Sequence, residues 1–302
     1  MDNVRNELHK LKKADLHNHL SLGPSLSSLK KYYPNCNLVI PKQYNGLEGM
    51  IDFIHNNINN VMTTKTDVIK FMEIAIEDCI ADNVVLLEAS IDINLIRHFN
   101  ESIEQLIEVV EYLKNRYKSK INFKPDIGFN KTDSIEKVYF NATKCIESGV
   151  YNGIDLYGRE NNMKLDGFVD LFNLAKSKGL KTKVHIGEFS DPTSIENAID
   201  LFRPMEIQHG IKAAYSEKTM SKILNEAIRL NICPQSNIAL GSELSLSEHP
   251  IRTLYDHGIN ISINTDDRIL FGASLTDQFE DLIRNHVFTI NEIKDICEKS
   301  IK

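Results

Sequence analysis

The 302-residue sequence predicts an α/β protein: a single (β/α)8 TIM barrel with extra helices over its C-terminal mouth. Three observations lead there. Eight short apolar or β-branched runs alternate with longer amphipathic ones, the pattern of parallel strands covered by helices. The length suits one barrel, which commonly takes ~250 residues or more as a unit. The residues fit for chemistry stand at the ends of the strand candidates, where a barrel gathers its catalytic face. The expectation is one domain over 1–302.

The strand candidates are 13–19, 83–91, 121–129, 151–158, 180–188, 206–210, 231–234 and 260–267. The run 66–81 places Val68, Ile69, Met72, Ile76 and Ile80 on one helical face. The runs 101–117, 133–148, 164–178, 194–202 and 217–229 read the same way, and 271–285 and 291–300 follow the last strand. Thr66 and Ser216 are expected N-caps. Gly149, Gly179 and Gly258 stand where helices should stop. An open doubly wound sheet would want a Gly-rich phosphate loop after an early strand, and the sequence has none. The one long connection, 34–65, carries Pro34, Pro41 and Gly46 and then the helix-like GLEGMIDFIHNNI. Following the first strand, it would lie over the mouth as a lid.

Lys and Arg total 35 against 42 Asp and Glu, a net charge of −7. That balance argues against a general nucleic-acid binder, which carries a basic surplus. The five cysteines, Cys36, Cys79, Cys145, Cys233 and Cys297, include no C-x-x-C pair. A disulfide framework or a cysteine zinc site is therefore not expected, and free thiols are. The N-terminus has no apolar run of signal-peptide length, and no stretch of ~18 apolar residues occurs. The expectation is a cytoplasmic protein without a membrane or nucleic-acid partner, its oligomeric state open.

His17 and His19 end the first strand candidate. Alternate residues on a strand share a side, so both imidazoles can reach one metal. Alone, the pair fits a solvated or hydrogen-bonded role equally well. His185 ends the fifth strand candidate, and Asp266 ends the β-branched run ISINT, where a buried acid is costly without a cation. Three His and one Asp form a nitrogen/oxygen set that suits zinc and leaves room for water. Glu188 could serve as a proton donor to a ring nitrogen, or as a helix-capping carboxylate. His209 and Asp267 could orient water and substrate. Otherwise they are a buried structural histidine and an acid at a helix N-terminus.

Six segments in order, DLHNHLSLG (15–23), GIDLYGRE (153–160), VHIGE (184–188), IQHG (207–210), CPQSNIALG (233–241) and SINTDD (262–267), resemble the adenosine deaminase family of the amidohydrolase superfamily. The resemblance implies zinc-dependent hydrolytic deamination of adenosine, or a related adenine nucleoside, to the inosine counterpart and ammonia, in purine metabolism. It implies one Zn2+ per chain, held by His17, His19, His185 and Asp266. It makes Glu188 the acid that protonates N1, with His209 and Asp266 also catalytic and His209 holding the attacking water. Asp267 would contact N7 and the Gly158 backbone N3, with His19 and Ser21 beside the substrate. The partner implied is a small-molecule purine nucleoside or nucleotide.

Three positions depart from the family pattern. Ser21 stands where an Asp usually meets the ribose 5′-hydroxyl. Arg159 follows Gly158, where an acid is frequent, and Arg268 replaces a Pro after Asp267. Arg binds phosphate bidentately, so an AMP-like or otherwise 5′-modified adenosine is the alternative substrate, with adenine itself a further one. The bland reading has both Arg side chains facing solvent or paired with acids such as Glu160. Two other functions compete: a binuclear amidohydrolase, which would usually carry a bridging Lys at the fourth strand, and a silent nucleoside-binding relative.

Overall fold

The computed structural model describes residues 2–161 and 163–302. Eight strands form one sheet in sequence order, and every neighbouring pair is parallel. They are β1 (Lys13–His19), β2 (Val84–Asp92), β3 (Asn122–Asn130), β4 (Gly153–Tyr157), β5 (Lys181–Ile186), β6 (Glu206–His209), β7 (Arg229–Ile232) and β8 (Ile261–Ile263). Helices fill the crossovers, so the predicted (β/α)8 barrel is the observed one. The seam between β8 and β1 is made by single contacts. Leu16 N–H donates to Asn264 Oδ1 (2.8 Å), and Thr265 N–H donates to Asp15 Oδ1 (3.2 Å). Asp266 N–H donates to the His17 carbonyl (2.9 Å).

Strand alternation explains the barrel interior. On β5, Lys181, Lys183 and His185 share one side, while Val184 and Ile186 pack into the apolar layer under the helices. Lys183 is fully buried, 2.8 Å from Glu88, 2.7 Å from Asp126 and 3.6 Å from Glu206. It also donates to the Leu16 carbonyl at 3.0 Å. Burial opposes the Lys183 charge, but Asp126, Glu88 and Glu206 outweigh it and hold the ammonium well above its usual range. The barrel floor is thus an ionic lattice beneath the mouth.

Helix boundaries differ from expectation where capping decides. The first long crossover helix is Lys65–Ala81, capped by Thr64 and not Thr66. Thr64 and Asp67 form a reciprocal capping box, whereas three residues after Thr66 stands the apolar Ile69. Ser216 does cap its helix, Glu217–Asn225, which stops four residues before 229 because Arg229 and Leu230 pair with β6. The expected helix 271–285 is two: Arg268–Phe271, ended by Gly272 at φ 76°, and Leu275–Arg284, opened by a Ser274–Asp277 capping box. The helix Asp2–Lys10 was not anticipated. Gly149, Gly179 and Gly258 have φ of 72°, 75° and 86°, as helix stops require. Within 34–65, a helix at Gly46–Asn56 covers the mouth and presents Leu47, Met50, Ile51 and Ile54 to the cavity beneath. All five cysteines are free and buried. Among the described residues, no helix is long and apolar enough to cross a membrane.

Candidate active site

A cavity of about 520 Å3 opens at the C-terminal ends of the strands. His19, Ser21, Gly158, His185, Glu188, His209, Asp266 and Asp267 all line it. His17 lies directly behind, 1% exposed, its ring centroid 4.7 Å from that of His185 and 4.6 Å from that of His209. His17 and the residues expected to bind metal or substrate therefore meet at one place.

Donor spacing tests the metal reading. One ligand atom each from His17, His19 and His185 lie within 4.8 Å of one another. His17 Nε2 and His19 Nε2 stand 3.7 Å and 3.6 Å from Asp266 Oδ1. Ligands of a tetrahedral zinc lie about 3.3 Å apart, given metal–ligand bonds of about 2 Å. His17 Nδ1 bonds the Asn231 carbonyl at 3.2 Å, so it carries the proton and leaves a lone pair on Nε2. That buried Nε2 has no hydrogen-bond partner among the described residues. An orphaned acceptor facing other donors fits a metal ion.

Glu188 follows β5 on a loop fixed by Glu160. The Glu160 carboxylate accepts from the backbone amides of Gly187 (2.9 Å), Glu188 (3.1 Å), Phe189 (3.2 Å) and Ser190 (2.9 Å). Asp191, not Glu188, caps the following helix, Pro192–Phe202. That frees Glu188 for the cavity. Burial, reinforced by Asp266 and Glu160, pushes its carboxyl well above the usual range, so it keeps its proton. His209 Nε2 is 3.5 Å from Glu188 Oε2. Asp267 caps no amide with its side chain, and its Oδ1 has no partner among the described residues. Gly158 has φ 95°, and a Cβ there would come within 2.5 Å of Asn130 Oδ1, so no larger residue fits.

The two departing arginines both meet acids, as the bland reading has it, but the partners are Glu48 and Asp78 and not Glu160. Arg159 forms a two-pronged pair with Glu48 on the covering helix, at 2.5 and 2.6 Å. Glu160 is unavailable to it, being held by the loop amides. Arg268 turns away from the cavity lining toward Asp78, 3.9 Å away. Arg97 does line the cavity and escaped the sequence reading, because it lies on a short turn with no periodic signal. Asp155 was also missed. From β4 it meets His185 Nε2 at 3.2 Å, and its own Oδ1 has no partner among the described residues. An acid inside a buried strand was its available signal. Asn237 donates to Glu188 Oε1 at 2.6 Å, and only the cavity geometry shows this.

Comparison with known proteins identifies the family. The adenosine deaminase family profile matches residues 35–302. A provisionally named adenosine/adenine deaminase of Treponema pallidum is 34% identical over 90% of this chain and 91% of its own. An amidohydrolase from Burkholderia ambifaria, solved with bound Zn, superposes with a TM-score of 0.81 at 20% identity, over 98% of this chain and 86% of that one. An Arabidopsis N6-methyl-AMP deaminase gives 0.83 at 22% identity, over 100% and 94%. With eight parallel strands, a crowded histidine–carboxylate mouth and this extended match, the chain belongs to the adenosine deaminase family and is an aminohydrolase.

Proposed function

We propose that the chain converts adenosine, or a close adenine nucleoside, to its inosine counterpart with release of ammonia, using one zinc ion per chain. The carrying observation is that the His17, His19, His185 and Asp266 donors converge beside a carboxyl, Glu188, whose burial keeps it protonated. The four donors would hold the metal, which supplies the Lewis acidity that activates water near neutral pH. Glu188 gives its proton to the purine N1, making C6 electrophilic. His209 holds the attacking water through its Nε2–H, and Asp267 anchors N7. Gly158 offers backbone close to the ring, and His19 and Ser21 flank the sugar side.

The nucleoside is favoured over a 5′-phosphate. Arg159 is already engaged by Glu48, and Arg268 lies outside the cavity lining. A cavity of about 520 Å3 exceeds what a bare base needs, which favours the nucleoside over adenine. The enzyme would act in purine metabolism in the cytoplasm. Ultraviolet monitoring of metal-loaded protein with adenosine, 2′-deoxyadenosine, 5′-deoxyadenosine, adenine and AMP tests this. Adenosine or its deoxy forms should turn over fastest. A clear preference for AMP or adenine would overturn the nucleoside assignment.

A further inference from the structure

We infer that His249, which touches neither the cavity nor any expected metal ligand, is a positioning residue for the deamination, acting through Asn237 to set where Glu188 and His209 carry their protons. The inference rests on the roles proposed above for Glu188 and His209. Which atom bears each proton follows from hydrogen-bond geometry.

His249 lies in the connection between β7 and β8 and is 3% exposed. The backbone amide of Ile251 donates to its Nδ1 at 3.1 Å. A backbone N–H can only donate, so Nδ1 holds a lone pair and the ring proton is on Nε2. Burial agrees, pulling the ring pKa down to about 3 and keeping it neutral.

His249 Nε2 stands 3.1 Å from Asn237 Oδ1. Donor therefore faces acceptor, and this chooses the amide orientation. A flipped amide would set its own N–H groups against the ring N–H. Held this way, Asn237 Nδ2 points to Glu188 Oε1 at 2.6 Å and to His209 Nδ1 at 3.2 Å. Both of its hydrogens are used.

Two consequences follow at the site. Glu188 Oε1 accepts the Asn237 N–H as the more basic carbonyl-type oxygen, which favours the carboxyl proton on Oε2, the oxygen 3.5 Å from His209 Nε2. His209 Nδ1 is also an acceptor, so neutral His209 carries its proton on Nε2. That nitrogen faces Glu188 Oε2 and Asp266 Oδ2, the latter at 3.9 Å. The chain runs from a backbone amide through one ring and one amide to two acid–base groups. Each link leaves the next a single orientation.

The test uses metal-loaded His249→Leu and His249→Gln together with nitrogen-15 NMR of the histidines. Loss of the donor in His249→Leu should lower kcat on adenosine about 10- to 100-fold, with metal content and KM nearly unchanged. His249→Gln, whose side-chain amide can still donate to Asn237 Oδ1, should recover most of the rate. A Leu variant with wild-type kcat, or a Gln variant as slow as the Leu variant, overturns the inference. The NMR spectrum of the wild-type protein should show His249 and His209 both protonated at Nε2 alone. A proton on Nδ1 of either ring also overturns it. Absence of turnover on every adenine compound would sink the substrate reading instead, and the NMR result would still decide this one.

Discussion

The backbone amide of Asp266 donates to the carbonyl of His17 at 2.9 Å, so the seam that closes the barrel passes between two side chains of the site. Closing the sheet and assembling the mouth are therefore one event. Asp266 also holds φ at 58°, and His209 at 63°, in the left-handed region that non-glycine residues seldom adopt. Such positions each cost roughly 1–3 kcal/mol and persist where the surroundings over-determine them, typically at functional sites.

Asp266→Asn isolates the charge. Asn matches Asp in size and tolerates the left-handed region, so the fold should persist. Metal content and turnover should fall together, since three neutral imidazoles remain without their anionic companion. Metal analysis of the purified variant alongside its ammonia release checks this. Full occupancy would remove Asp266 from the ligand set.

Glu188→Gln should keep the metal and lose roughly 10²–10⁴-fold in kcat, the usual contribution of a positioned acid. Because burial raises the Glu188 carboxyl well above its usual range, the wild-type rate should fall as pH rises through that raised value. The Gln variant's residual rate should lack that limb. A near-normal rate in the variant would end the acid assignment.

His249 links stability to pH. Folded His249 stays neutral down to about 3, whereas the unperturbed ring titrates at 6.5. Between those values the unfolded chain binds the extra proton. The contribution is whole above 6.5 and is lost as pH falls toward 3. His249→Gln removes it, so the variant should lose less stability than wild type on acidification from about pH 7 to 4. Parallel slopes in melts across that range would contradict the burial effect.

Lys183 compensates three buried carboxylates at once. Removing one partner of a buried pair costs about 3–5 kcal/mol, because the remaining charge is left uncompensated. Lys183→Met should lose stability on that scale in urea unfolding near neutral pH. The loss should shrink in acid, where Glu88 and Asp126 can take up protons. A loss that does not vary with pH would assign the effect to packing.

Periodicity and strand-end polarity made the barrel and seven mouth residues legible in the sequence. His17, His19, His185, Glu188, His209, Asp266 and Asp267 lie at or just beyond strand ends, where topology alone brings them together, whereas Gly158 came only from the family resemblance. What stayed hidden depends on long-range partners. Glu160 reads as a neighbour of Arg159, yet it binds the loop around Glu188. Nothing local distinguishes those uses. His249 stands in a loop of Ser, Glu and Pro, and its role appears only when Ile251 and Asn237 meet it in space. Helix starts slipped where two threonines competed, as at Thr64 and Thr66, because the capping box depends on the residue three positions later.

The pairing of Arg159 with Glu48 ties the covering helix to the loop after β4 across the cavity mouth. Both side chains are 56% exposed, so the pair adds little stability. Its consequence is for the substrate: a guanidinium forked onto one carboxylate is not free to fork onto a phosphate. Glu48→Ala should leave the melting temperature unchanged and free Arg159 at the rim. The ratio of kcat/KM for AMP to that for adenosine should then rise several-fold. The gain should disappear at high salt, which screens exposed charges. An unchanged ratio would show that Arg159 does not reach the 5′ position, leaving Arg97 as the other guanidinium on the lining to be tested in the same assay.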